Sequence, residues 1–161
     1  MAEELATTYR RRCEFETMFP PHSPYLNGSI NVSTSEDGIS PTDIVFPGET
    51  FNVYVNWELH GSLEHIICGK WCVCLDFECV GAGPEYDVDE ICKYIEFDCH
   101  QHGVFGTKFE VRVGDIPDTS KDRCSIVCRL FVTVSLVDNC GKPARVAGFC
   151  EGPLVQFAPG E

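Results

Sequence analysis

Basic residues are scarce in this 161-residue sequence. Lys and Arg number 12 against 25 Asp and Glu, which gives a formal net charge of −13 at pH 7. Nucleic-acid binding depends largely on Lys and Arg side chains that neutralise phosphates and release counterions, so this charge makes a phosphate backbone an unfavourable partner. The composition therefore argues against nucleic acid as a general partner.

Long apolar runs and the common sequence motifs of enzymes are also missing. No apolar run approaches the roughly 18 residues that would span a bilayer, so we expect no membrane span. The sequence contains no G-x-S-x-G, G-x-x-x-x-G-K, H-E-x-x-H or G-x-G-x-x-G. These spacings mark nucleophile, phosphate-binding, zinc-protease and dinucleotide-binding sites. Their absence predicts a protein that is not an enzyme and that holds no cofactor.

Apolar residues follow a period of two from residue 44 onward. Phe51, Val53, Val55, Trp57 and Leu59 share one face of an extended segment, and a second row contains Trp71, Val73, Leu75, Phe77 and Cys79. Such alternation is typical of half-buried strands. The predicted strands are 51–59, 71–79, 91–99, 108–113, 125–137 and 146–157. Short strands at this spacing predict an all-β, antiparallel fold, either a two-sheet sandwich or a barrel.

Residues 1–43 differ in composition from the rest of the chain. Prolines cluster at 20–24 and small polar residues at 33–43, which favours turns and linkers. Two short strands are predicted between these stretches and just before them. We therefore predict an N-terminal arm and linker over 1–43, followed by a β-sandwich domain over 44–161.

The run from Val45 to Thr50, entering a long alternating strand and followed by a strand with an inward Trp71, resembles the opening of many bacterial immunoglobulin-like β-sandwich modules. The resemblance covers residues 44–161. It implies an immunoglobulin-like two-sheet antiparallel sandwich. Modules of this kind serve as spacers, adhesins and assembly units, so the resemblance also implies a structural or interaction role.

The sequence holds 11 cysteines, and their positions in the predicted strands suggest disulfides. Cys72 and Cys74 alternate with the inward row of their strand, so both should face outward. Outward thiols on one row favour disulfide bonds in an oxidising environment, although spacing does not give the connectivity. For Cys124 and Cys128 a core position is equally compatible. The disulfide candidates are Cys68, Cys72, Cys74, Cys79, Cys92, Cys99, Cys124, Cys128, Cys140 and Cys150.

A metal site is the alternative use of these thiols. Cys99, His100 and His102 crowd together in the sequence and could combine with Cys72 and Cys74 in tetrahedral nitrogen and sulfur ligation. The chain has no C-x-x-C, however, and its C-x-C and C-x-x-x-C spacings are not those of zinc knuckles or ribbons. The alternative hypothesis is therefore a zinc-binding module.

An odd number of cysteines leaves at least one sulfur free or paired outside the chain. Cys13 lies on the predicted arm, in a row with Phe15 and Phe19 on one face of an extended segment. A strand of this kind can add to an exposed sheet edge, where main-chain hydrogen bonds give affinity and alternate side chains fill pockets. We expect these three residues to dock on a neighbouring subunit, unless the terminus is disordered or packs on its own chain.

Together these features predict a structural, self-assembling surface or filament subunit, reinforced by disulfides and located outside the cell or on its surface. Its main partner would be further copies of itself. No secretory signal is recognisable, so the export route is not evident from the residues. A carbohydrate-binding or adhesin domain is a further alternative, because Tyr54 and Tyr94 could stack on a glycan.

Overall fold

The computed structural model describes residues 9–36, 44–45, 50–64, 67–80, 91–97, 103–112 and 126–157. These residues form nine strands, and the all-β prediction is confirmed. The strands are β1 (Tyr9–Thr17), β2 (Asn27–Glu36), β3 (Ile44–Val45), β4 (Thr50–His60), β5 (Gly69–Val80), β6 (Ile91–Phe97), β7 (Val104–Arg112), β8 (Ile126–Val137) and β9 (Pro143–Phe157). Within the described ranges, no helix is long and apolar enough to cross a bilayer.

The strands belong to one sheet, so the predicted two-sheet immunoglobulin-like sandwich is wrong. Eight strands follow the order β6, β5, β8, β9, β1, β2, β4, β7, and each neighbouring pair is antiparallel. The short β3 pairs in parallel with β9, off this path. The sheet curls through 303° into a half-barrel. Alternating inward residues fill the concave side of a curled sheet as well as the interior of a sandwich, which is why their period did not separate the two folds.

Strand β1 is what makes the sheet continuous. Its residues 9–14 pair with β2, and residues 15–17 pair with β9. One strand therefore belongs to both halves of the sheet and connects them. The predicted arm and linker, residues 1–43, thus include two strands that hydrogen-bond to strands on the other side of residue 43, since β2 also pairs with β4 over ten residues.

The concave side of the sheet holds the core, and its largest members are aromatic. Trp57 and Trp71 are at most 1% exposed, with ring centroids 5.9 Å apart. Phe15 from β1 lies 5.8 Å from Trp71. The alternating rows predicted for β4 and β5 are buried in this core throughout their described side chains. Burial of rings of this size supplies much of the hydrophobic stabilisation available to a single-sheet fold.

The curl brings the two edge strands, β6 and β7, against each other. Phe97 on β6 and Phe105 on β7 meet edge to face, with ring centroids 5.2 Å apart. Lys93 on β6 donates a hydrogen bond from Nζ to the backbone carbonyl of Lys108 on β7, and the same Nζ lies 4.7 Å from the centre of the Phe109 ring. We call this contact between β6 and β7 the seam. It covers edges that would otherwise expose unpaired backbone groups.

Candidate thiol site on the outer face of the sheet

The outer face of β5 carries two thiol-bearing side chains. Inward residues such as Trp71, Val73 and Leu75 are fully buried, and Cys72 and Cys74 alternate with them on the opposite face. This placement follows directly from the period of two in a strand. Cys72 is partly exposed, whereas Cys74 is 7% exposed because strands lie on both sides of β5.

Cys74 forms a disulfide with Cys92, which lies directly opposite it on the edge strand β6. Their Cα atoms are 4.1 Å apart, and 18 positions separate them in the sequence. Opposite residues of an antiparallel pair approach this closely where the pair is not hydrogen-bonded. The bond therefore ties the edge strand covalently to the sheet. Cys92 itself is exposed.

Cys72 adds a third sulfur to this pair. Its Sγ lies 3.5 Å from Sγ of Cys74, and the three sulfurs of Cys72, Cys74 and Cys92 lie within 4.8 Å of one another. Cys72 is a free thiol. We call these three residues the thiol site. In register, Tyr94 faces Cys72 from β6, and Ser135 faces it from β8.

The second disulfide involves a residue predicted to act between subunits. Cys13 on β1 is bonded to Cys150 on β9 of the same chain, with 137 positions between them. Phe15 is 8% exposed and packs in the core, and Phe19 is partly buried against that core, with its ring 5.6 Å from Tyr25. In this structure the predicted intersubunit residues are therefore satisfied within one chain. The reason is that β1 occupies a central position in its own sheet.

The other candidate cysteines have separate surroundings. Cys68 is disulfide-bonded. Cys128 is fully buried and stands opposite Cys79 in the register of β5 and β8. Cys140 is a free and exposed thiol in the turn between β8 and β9, where its backbone N–H donates to Asp138. Cys99 and Cys124 lie outside the described residues, as does the side chain of Cys79.

The described residues include two of the five ligands named for the metal alternative. Cys72 and Cys74 do lie together, but His100 and His102 fall outside the described residues, as does Cys99. The third sulfur near them is that of Cys92, which the sequence analysis did not connect with this pair. A signal for it existed: the run Gly-Ala-Gly-Pro at 81–84 favours a turn, and its Gly83 lies midway between Cys74 and Cys92. A hairpin centred there places the two cysteines opposite each other.

A cleft of about 280 Å³ lies at one end of β1 and β2, and it was not predicted. His22 Nε2 lies 3.5 Å from Glu14 Oε1, and His60 Nε2 lies 3.2 Å from Glu58 Oε1. Ser29 donates a hydrogen bond to the same Glu58 oxygen. Both histidines are exposed and lie within reach of a carboxylate, and apolar side chains also line the cleft, so it offers polar and apolar contacts together. The histidines come together through the fold, and their spacing in the sequence gives no sign of it.

The two tyrosines considered for glycan stacking differ in exposure. Tyr94 on β6 is 66% exposed. Tyr54 on β4 is partly buried, with Nζ of Lys108 lying 5.9 Å from the centre of its ring. Glu110 accepts a hydrogen bond from Lys108 and lies 3.1 Å from its Nζ, and this contact raises the pKa of the lysine above its usual value. The Lys108 ammonium beside Tyr54 is thus held in place on β7.

No known protein family, curated protein or solved structure matches this chain. The geometry itself is therefore the basis for function. It contains two kinds of sulfur chemistry: a disulfide between strands β1 and β9, whose Cys150 is fully buried, and an outward group of three sulfurs with one free thiol. The Cys13–Cys150 bond suits mechanical reinforcement. The thiol site suits reactions that need access from outside.

Proposed function

We propose that the protein is a structural subunit, reinforced by disulfides, that works outside the cell or on its surface. The observation that supports this proposal is the Cys13–Cys150 bond, which joins two residues 137 positions apart. A disulfide that closes so long a loop strongly restricts the unfolded chain. Disulfides of this kind persist in oxidising environments. A protein that depends on such a bond is suited to conditions in which the chain must resist unfolding.

Association with further copies is the second part of the proposal. Strand β1 lies between β2 and β9, and residues 18–26 connect it to β2. Exchange of an identical strand between two copies recreates the same contacts at low cost, because only the connecting segment changes. In an exchanged assembly the Cys13–Cys150 bond would join two chains, and Phe15 would fill the core of the neighbour. This arrangement keeps the docking role predicted for Cys13, Phe15 and Phe19.

Isotope mixing tests strand exchange, and a thiol assay of the protein as purified tests reinforcement. Equal amounts of unlabelled and nitrogen-15-labelled chain are unfolded and reduced together, refolded with air oxidation, and digested without reductant. Peptides that contain the Cys13–Cys150 bond are then weighed. Hybrid masses, together with a covalent dimer on a non-reducing gel, are expected for strand exchange.

The outcomes separate the two parts. Peptides of a single isotope only, with a monomer by light scattering, would overturn the strand-exchange proposal and leave the reinforced subunit in place. Unpaired thiols at positions 13 and 150 in protein purified without reductant would overturn the reinforcement proposal itself. A Cys140→Ser variant serves as the control, since this exposed thiol can form dimers without any strand exchange.

A further inference from the structure

The thiol site brings three sulfurs to one face of β5 and β6. Two of them come from alternate residues of one strand, and the third lies directly across the strand pair. In tetrahedral zinc–thiolate sites the Zn–S distance is about 2.3 Å, which places neighbouring sulfurs about 3.8 Å apart. The Cys72–Cys74 separation of 3.5 Å is already close to that value, and the sulfur of Cys92 can move apart to it once its bond to Cys74 is opened.

Thiol–disulfide exchange within the site is not what this geometry favours. An attacking thiolate approaches along the axis of the S–S bond. With a bond of about 2.05 Å, a sulfur on that axis and 3.5 Å from Cys74 would lie about 5.5 Å from Cys92. Cys72 Sγ lies within 4.8 Å of both sulfurs, so it stands beside the bond rather than in line with it. Three sulfurs in a compact triangle are better placed to bind one cation together than to attack one another.

Access to the Cys74–Cys92 bond differs from access to the Cys13–Cys150 bond. Cys92 is exposed on an edge strand, whereas Cys150 is fully buried between β8 and β1. Exposed disulfides are the ones that external thiols reach. A low-molecular-weight dithiol therefore reduces the Cys74–Cys92 bond before the Cys13–Cys150 bond. The S–S bond breaks, each cysteine gains a hydrogen, and the dithiol is oxidised to its own disulfide.

We propose that Cys72, Cys74 and Cys92, once the Cys74–Cys92 bond is reduced, form a three-thiolate site for one thiophilic cation, Zn²⁺ or Cu⁺. Thiolate is the ligand type that selects these two ions. Each cysteine loses its proton to solvent as the cation binds, so binding strengthens as pH rises. The bound cation then takes over from the disulfide in holding β6 to β5. The site is independent of the structural role proposed above.

The test uses the full chain. The protein is treated with limiting dithiothreitol until only the Cys74–Cys92 bond is open, as checked by alkylation and peptide mass. The reductant is then removed without air, and the protein is titrated with Co²⁺ as a spectroscopic probe for Zn²⁺. We expect one Co²⁺ per chain, with a near-ultraviolet thiolate-to-cobalt band that Zn²⁺ abolishes. A parallel titration with Cu⁺ against a competing chelator shows which of the two ions is preferred.

Two variants decide whether the third sulfur takes part. Cys72→Ser should lower the affinity for the cation by at least about tenfold, as loss of a supporting group already does in metal sites. Cys140→Ser should leave the affinity unchanged, because Cys140 is a free thiol in the β8–β9 turn. Equal binding by the Cys72→Ser variant and the parent would overturn the three-thiolate site, and so would the absence of stoichiometric binding.

A second measurement guards against a folding defect in the Cys72→Ser variant. In the Cys140→Ser background, iodoacetamide is applied before reduction, while the disulfide still protects Cys74 and Cys92. Alkylation then blocks Cys72 in a chain that is already folded, and peptide mass identifies every cysteine that has reacted. The proposal expects the thiolate-to-cobalt band to fall sharply after this treatment, and a band of full strength would contradict it.

Discussion

Phe97 and Phe105 meet edge to face, with ring centroids 5.2 Å apart, although they lie on the two strands at opposite ends of the sheet order. Both rings also contact Trp71 in the core, at 5.6 Å each. The seam is thus an aromatic contact that continues the core to the surface. Side chains, rather than a complete hydrogen-bond ladder, hold the edges of the curled sheet together there.

The Phe105→Ala substitution tests the seam. It removes the ring contacts with Phe97, Trp57 and Trp71, so we expect a loss of about 2–3 kcal/mol in the free energy of unfolding. That is below the full value for a buried phenylalanine, because this ring is only partly buried. Urea denaturation measures the effect. The neighbouring Val104 is 71% exposed, so Val104→Ala is the control and should change the value by less than about 0.5 kcal/mol.

Lys93 and Lys108 provide a matched pair at the same seam. Lys93 contributes its ammonium to the Lys108 carbonyl and to the Phe109 ring, whereas Lys108 contributes its backbone. We expect Lys93→Met to cost about 1 kcal/mol, the usual net value of such a hydrogen bond. Lys108→Met keeps the carbonyl and loses an exposed ion pair and a distant contact with the Tyr54 ring, so it should cost less than about 0.5 kcal/mol. Equal losses in the two variants would contradict a specific role for the Lys93 side chain.

The Cys13–Cys150 and Cys74–Cys92 disulfides should differ in their contribution to stability. In the chain-entropy account, replacing Cys13 and Cys150 by Ala costs about 4–5 kcal/mol, and replacing Cys74 and Cys92 costs about 3 kcal/mol, because the second loop is much shorter. Chemical denaturation of each double variant without reductant measures the difference. A larger loss in the variant without the Cys74–Cys92 bond would mean that the edge strand, rather than β1, limits stability.

Gly148 and Gly106 both leave little room for a Cβ, but they differ in whether the neighbouring side chain can move away. A Cβ at Gly148 would run into the Ile30 side chain and come within 3.2 Å of the Phe15 ring, both of which are buried. We expect Gly148→Ala to cost about 1–3 kcal/mol through overpacking. At Gly106 the Cβ would meet the end of the exposed Asn56 side chain, which can rotate away. Gly106→Ala should therefore be nearly neutral, and thermal unfolding of both variants checks the contrast.

Local patterns in the sequence predicted the strands well but not the way in which they join. The alternation around Trp57 and Trp71 identified β4 and β5 and their buried faces, since side-chain direction follows from the strand itself. The single curled sheet depends instead on β1 pairing on both sides with distant partners. The alternation of apolar residues along a strand gives no information about which distant strand it pairs with.

The thiol site shows the same division between local and distant information. The outward direction of Cys72 and Cys74 follows from the period of their strand. A hairpin centred on the run at 81–84 would also predict that Cys92 lies opposite Cys74, as the register shows. The Cys13–Cys150 pair joins two segments that give no sign of each other in the sequence. Eleven cysteines allow too many pairings for spacing to select this one.

Strand β1 carries a consequence for biosynthesis. It emerges from the ribosome before every other described strand, yet its residues 15–17 pair with β9, the last one. A chain still being translated therefore holds Phe15 without its final neighbours until nearly all of it has been made, and contacts between such distant segments form slowly. Completion of the fold therefore waits for the last strand, since β9 closes the side of β1 that carries Phe15.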